Sequence, residues 1–159
     1  MAPAKVTLPS DTQILITREF DAPRHLIWRA YTEPDLIKRW WSGERGAVTS
    51  VEVDLQVGGH WRYVMTANGG FEVAFHGEFR EITAPERLVN TEAFEGIPDP
   101  DGNAALVTVT LTEKDGRTYI EVLTEMKDKA GRDAIIESGM EGGMQESYNA
   151  LEKVARSLA

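Results

Sequence analysis

The sequence predicts an α+β domain, a curved antiparallel sheet closed by a long C-terminal helix. Three observations carry this. Apolar residues alternate with a period of two over most of 47–126, in runs separated by turn residues. Most of those turns are short enough to make successive strands antiparallel neighbours. From 132 to 158 the spacing becomes helical: Ile136, Met140, Met144 and Tyr148 recur every four residues, and Leu151, Ala155 and Leu158 continue the face.

Along the chain, residues 1–11 read as a short polar tail and 12–159 as one domain. A strand over 12–20 places Ile14, Ile16 and Phe20 on one side. Asp21-Ala22-Pro23 ends it and starts a helix, with Pro23 suited to the first helical position. Leu26, Ile27, Ala30 and Tyr31 give that helix its apolar face, and Thr32-Glu33-Pro34 breaks it. A second short helix runs to Trp41 with Leu36, Ile37, Trp40 and Trp41 as its stripe. Strands follow over 49–55, 60–67, 71–82, 87–94, 105–113 and 118–126. Gly58-Gly59, Asn68-Gly69-Gly70, Ala84-Pro85-Glu86, a longer 96–103 loop and Asp115-Gly116 separate them.

Composition narrows the function classes. A 159-residue chain with 42% hydrophobic and 27% charged residues can bury a core without staples. The absence of cysteine excludes disulfides, thiolate metal sites and a cysteine nucleophile. Met1 to Ser10 lacks the apolar core of a signal peptide, and no later run nears the roughly 18 apolar residues of a membrane span, so a cytoplasmic protein without membrane insertion is expected. The net charge of −9 repels nucleic-acid phosphates. The basic residues Arg18, Arg24, Arg29, Lys38 and Arg39 are interleaved with Glu19, Asp21, Glu33 and Asp35, so no nucleic-acid partner is expected.

Strand alternation selects the residues that face the long helix. Trp61, Tyr63 and Met65 share a side, as do Phe71, Val73, Phe75 and Phe79, then Val107, Val109 and Leu111, then Ile120, Val122 and Met126. Aromatic and methionine side chains suit an adaptable pocket, although the same stripes also describe a plain core. Gly139, Gly142 and Gly143 each cost about 1 kcal/mol against alanine inside a helix. Close approach of the sheet, room for a ligand, or a break before a helix starting near Met144 would account for them. The candidate pocket lining is Trp40, Trp61, Tyr63, Met65, Phe75, Phe79, Met140, Met144 and Tyr148. Glu92 alternates with Leu88 and Phe94; pointing inward beside Asn90 it is a polar handle, and pointing outward it is a solvated strand carboxylate.

No catalytic or metal site emerges. His25 lies on an exposed helix face, and alternation turns His60 and His76 away from the pocket. The serines sit in no nucleophile-elbow context, and the glycine pairs match neither a dinucleotide fingerprint nor a phosphate loop. No cofactor is expected.

Phe20-Asp21-Ala22-Pro23, Trp28, Ala30-Tyr31-Thr32, Pro34 and Trp40-Trp41 resemble the opening of START-like (SRPBCC) domains. The nearest branch is the one shared with the C-terminal domain of the activator of the Hsp90 chaperone ATPase. The likeness continues through 54–59, Gly77, 85–89 and 139–143, so it spans about 12–158. It implies a helix-grip fold, a sheet wrapped around the C-terminal helix with a cavity between them, of a kind that binds lipids, sterols, polyketides or hormones. Gln56 stands where the branch usually has Arg, and Gly143 where it often has Trp, which implies an enlarged pocket or a shifted mouth.

Three functions are expected in order. The first is a cavity-bearing, non-catalytic binder of a small hydrophobic or aromatic molecule, oriented by hydroxyls such as those of Tyr63 or Tyr148. The second is a chaperone-interaction module, resting on the family resemblance. The third is a cyclase- or hydrolase-type enzyme, which needs a buried acid or base and finds only Glu92 or a tyrosine. Exposed sheet edges leave room for a homodimer.

Overall fold

Eight strands form one antiparallel sheet in the computed structural model, which describes residues 3–159. They are β1 (Lys5–Thr7), β2 (Gln13–Phe20), β3 (Gly46–Val53), β4 (His60–Ala67), β5 (Glu72–Thr83), β6 (Arg87–Phe94), β7 (Ala105–Lys114) and β8 (Arg117–Glu125). Their order is β1-β2-β8-β7-β6-β5-β4-β3. From β3 to β8 the chain meanders, each strand pairing with the next. Helices α1 (Arg24–Thr32) and α2 (Pro34–Ile37) carry the chain from β2 to β3 at the far edge. Register shifts at Val48/Ser50 and Phe79/Glu81 add twist and bend to the half of the sheet that holds the cavity.

After β8 come α3 (Lys129–Glu137) and α4 (Met140–Ser157). The helix expected over 132–158 is therefore two. Ser138 and Gly139 interrupt it, and Gly139 takes φ +83°, a left-handed conformation that glycine enters without the Cβ penalty. Asp128 caps α3, accepting a hydrogen bond from the Gly131 amide at 2.8 Å. Ile136, expected on the buried stripe, is 38% exposed because the break changes the helix direction after it.

The N-terminal segment also departs from expectation. Lys5–Thr7 pairs with Thr17, Ile16 and Leu15 of β2, and Ala4 exchanges two backbone hydrogen bonds with the Gln145 side chain at 3.0 and 2.8 Å. Arg18, one of the basic residues named above, is buried on the inner face of β2. It donates to Asn149 Oδ1 at 2.7 Å, pairs with Glu152 at 3.7 Å and lies over the Phe20 ring. Burial lowers its pKa, and its Nε has no hydrogen-bond partner among the described residues.

The solid core lies under the C-terminal half of α4. Leu151, Val154 and Ala155 are buried with Phe20, Ile27, Val109 and Ile120. The turn from β2 into α1 is fastened by side chains from elsewhere: Glu152 accepts from the Asp21 amide, Glu113 from the Arg24 amide, and the buried Thr118 hydroxyl donates to the Ala22 carbonyl.

Candidate functional site

The face of α4 continues toward its N-terminus through Met140, Met144, Ser147 and Tyr148, and there the packing opens into a cavity of about 660 Å³. Its size falls within the usual range for small-molecule sites, about 300–1,000 Å³. The sheet supplies Val53, Trp61, Tyr63, Val73, Phe75 and Phe79 from β3 to β5, and Leu88, Asn90, Glu92 and Phe94 from β6. Tyr31 of α1, with Trp40 and Trp41 beyond α2, closes one side. Phe94, Ile97, Lys127, Asp128, Ala134 and Ser138 both line the cavity and face solvent, so they mark its mouth. One face of α3, carrying Gly131, Ala134, Ile135 and Ser138 at helical spacing, borders that mouth.

Nine of the ten residues singled out from the sequence line this cavity: Trp40, Trp61, Tyr63, Phe75, Phe79, Glu92, Met140, Met144 and Tyr148. Met65 does not. It is buried farther along β4, paired with Val48 and with the lining residue Val73. Phe71 lies outside β5 and is 62% exposed. Gly142 and Gly143 do not line the cavity either. A Cβ on Gly142 would meet the Arg45 guanidinium at 2.8 Å, and around Gly143 there is open space.

The aromatic rings are locked in place. Trp41 meets Tyr63 and Phe75 edge-on, with centroids 5.4 and 5.8 Å away, and Trp61 lies 4.6 Å from Tyr63. Trp40 Nε1 donates to the Ala30 carbonyl at 2.7 Å and Trp61 Nε1 to the Thr91 carbonyl at 3.2 Å. The second bond passes beside Gly77, where a Cβ would stand 1.9 Å from the Thr91 oxygen. Only glycine lets Trp61 lie down across β5.

Glu92 points inward. By area it is half-buried, because its head abuts cavity space, yet protein surrounds it and burial pushes its carboxyl up to about 7. Among the described residues it has no hydrogen bond or ion pair. It couples electrostatically to three phenols: Tyr31, pushed up to about 12 by burial, and Tyr63 and Tyr148, both raised for the same reason. Tyr31 and Tyr148 also couple to each other electrostatically. The other charged lining residues, Lys127 and Asp128, are exposed at the mouth.

Outside the cavity, His76 projects from the opposite face of β5. Its Nδ1 meets Glu95 at 2.8 Å and its Nε2 meets Asp101 at 2.6 Å, while Arg62 grips Glu95 through two 2.9 Å bonds. Among the described residues no three His, Asp or Glu side chains cluster in a metal-holding group. No helix among them is long and apolar enough to cross a membrane.

Sequence reasoning did not include Tyr31, Trp41, Ser147, Ile97 or the α3 face in the lining. Tyr31 and Trp41 stood in apolar helix stripes, which say that a residue is buried but not that space remains beside it. The α3 face was hidden by reading 132–158 as one helix, although Asp128 ahead of Gly131 and Ser138-Gly139 near the break were its two end signals.

A curved antiparallel sheet gripping C-terminal helices around a cavity defines a START-like, helix-grip domain. The chain belongs to the Activator of Hsp90 ATPase homolog 1-like protein family, whose model matches residues 21–156. A crystal structure of a Rhodobacter sphaeroides protein is similar over 98% of this chain and 99% of its own, at 25% identity and a TM-score of 0.89. A Mycobacterium smegmatis protein is similar over 96% of both chains, at 25% identity and a TM-score of 0.85. An Arthrobacter aurescens protein solved by NMR is similar over 96% of this chain and 91% of its own, at 26% identity and a TM-score of 0.84. Among curated proteins, none matches this chain.

Proposed function

We propose that this domain binds a small, largely apolar molecule in the cavity beneath α3 and α4. The observation that carries the reading is an aromatic-walled space of about 660 Å³ with a mouth to solvent and few polar groups inside. Ring walls held by edge-on contacts and by the Trp40 and Trp61 hydrogen bonds are preorganised, so little ordering entropy is lost on binding. Trp40, Trp61, Tyr63, Phe75, Phe79, Glu92, Met140, Met144 and Tyr148 are the proposed contacts.

The test has two arms. Native mass spectrometry of gently purified protein is expected to show a non-covalent adduct of a few hundred daltons, the order of a pocket-sized ligand. Nile red, a neutral apolar dye, is expected to brighten and shift to the blue with the protein. Met144→Trp, which pushes bulk into the space, is expected to abolish both signals while leaving circular dichroism unchanged. A clean apo mass with no dye response would sink the reading.

Family membership across 21–156 supports a second reading, an interaction with an Hsp90-type chaperone. It predicts that the domain co-sediments with the chaperone and raises its ATPase rate. Absence of both at high concentration would retire it.

A further inference from the structure

We infer that the cavity takes a ligand bearing a basic nitrogen, an amine seated as its ammonium ion against the Glu92 carboxylate. This deepens the cavity-binding reading above and rests on it.

Three features of the lining point the same way. Among the described residues the cavity interior holds one ionisable carboxyl and no lysine, arginine or histidine. Among the described residues nothing bonds to that carboxyl, so the chain has surrounded an acid with protein without supplying its partner. An unpaired buried carboxylate is destabilising, whereas a cation brought by the ligand offsets that cost. The walls beside it suit a cation too. Tyr63, which couples to Glu92, packs against Trp61 and Trp41, and aromatic faces attract ammonium groups. The alternatives fare worse on charge. An anionic ligand would meet Glu92 with no internal cation to receive it, and a neutral one would leave the carboxylate unpaired or force it to hold a proton.

The titratable groups facing Glu92 come from three elements: Tyr31 on α1, Tyr63 on β4 and Tyr148 on α4. All three pKa values are raised, so the phenols stay neutral below pH 9 and Glu92 alone changes charge there. Amine binding should therefore weaken as pH falls from 8 to 6 and Glu92 takes up its proton.

The experiment compares three fluorescent probes with one body and different heads, 1-pyrenemethylamine, 1-pyrenemethanol and 1-pyrenecarboxylate, titrated at pH 8 in about 0.15 M salt. At that ionic strength, attraction to the acidic surface is screened beyond about 8 Å. The amine is expected to bind about tenfold or more tighter than the alcohol, as a hydrogen bond to a charged group supplies. The carboxylate should bind weakest. In Glu92→Gln the amine and alcohol should bind about equally, and in the wild type the amine preference should shrink at pH 6. Equal wild-type affinities, or a preference that survives in Glu92→Gln, would overturn the amine inference while leaving cavity binding standing. Binding of none of the three would overturn both.

Discussion

An ionised Glu92 surrounded by the apolar cavity wall is less stable than the same carboxylate in the unfolded chain, and pH exposes the difference. Its folded pKa, about 7, lies above its ordinary value of 4.5, so the folded state holds the proton more tightly. Below about pH 4.5 both states are protonated and the group contributes nothing. As pH rises toward 7 the unfolded chain ionises first, and stability falls until the full penalty is reached above 7. Glu92→Gln removes the titration. It is expected to be more stable than the wild type at pH 8 by on the order of 1–3 kcal/mol, with the gap closing toward pH 4.5. Urea unfolding at several pH values measures this, and a constant gap would show that Glu92 does not titrate as described.

At the scale of elements, the loop between β6 and β7 and the joint between α3 and α4 both border the mouth. His76 holds the first: its bonds to Asp101 and Glu95 raise its pKa, while Arg62 and then His76 hold Glu95 down to about 2. A raised histidine contributes its stability in full below its ordinary value near 6.5 and loses it as pH climbs through the folded value. Amide exchange in residues 96–103 should therefore quicken, beyond the ordinary pH dependence of exchange, as His76 deprotonates, and His76→Ala should remove that extra step. The joint depends on Gly139. A Cβ there would meet nothing within 4 Å, so Gly139→Ala tests the backbone alone and is expected to cost about 1–2 kcal/mol in urea unfolding. These elements also divide what the sequence shows from what it hides. Strands β4 to β8 were legible because alternation and turn residues agree there. The glycines of 139–143 raised a break as one alternative, but they did not decide it or place it at Gly139, because Ile136, Met140 and Met144 keep helical spacing across it. Strand β1 is three residues long and forms only because β2 offers an edge, which no local pattern records. Phase with Leu88 admitted an inward Glu92 and a solvated one alike, so both its inward orientation and its lack of a partner are three-dimensional facts.

Across the whole molecule, the stripe on α4 serves two surroundings in succession. Its first half, Met140 to Tyr148, stands over open space, and its second half, Leu151 to Ala155, stands in the solid core. A truncation in the second half leaves a hole where packing was complete, so Leu151→Ala is expected to cost about 2–5 kcal/mol. Met144→Ala gives up fewer contacts and should cost less than half as much by urea unfolding; equal costs would mean the cavity end is packed like the core. That division has an evolutionary reading. Changes at 140, 144 and 147 can reshape the cavity without spending the stability stored beyond 150, so lineages of this fold can vary that space while keeping their architecture.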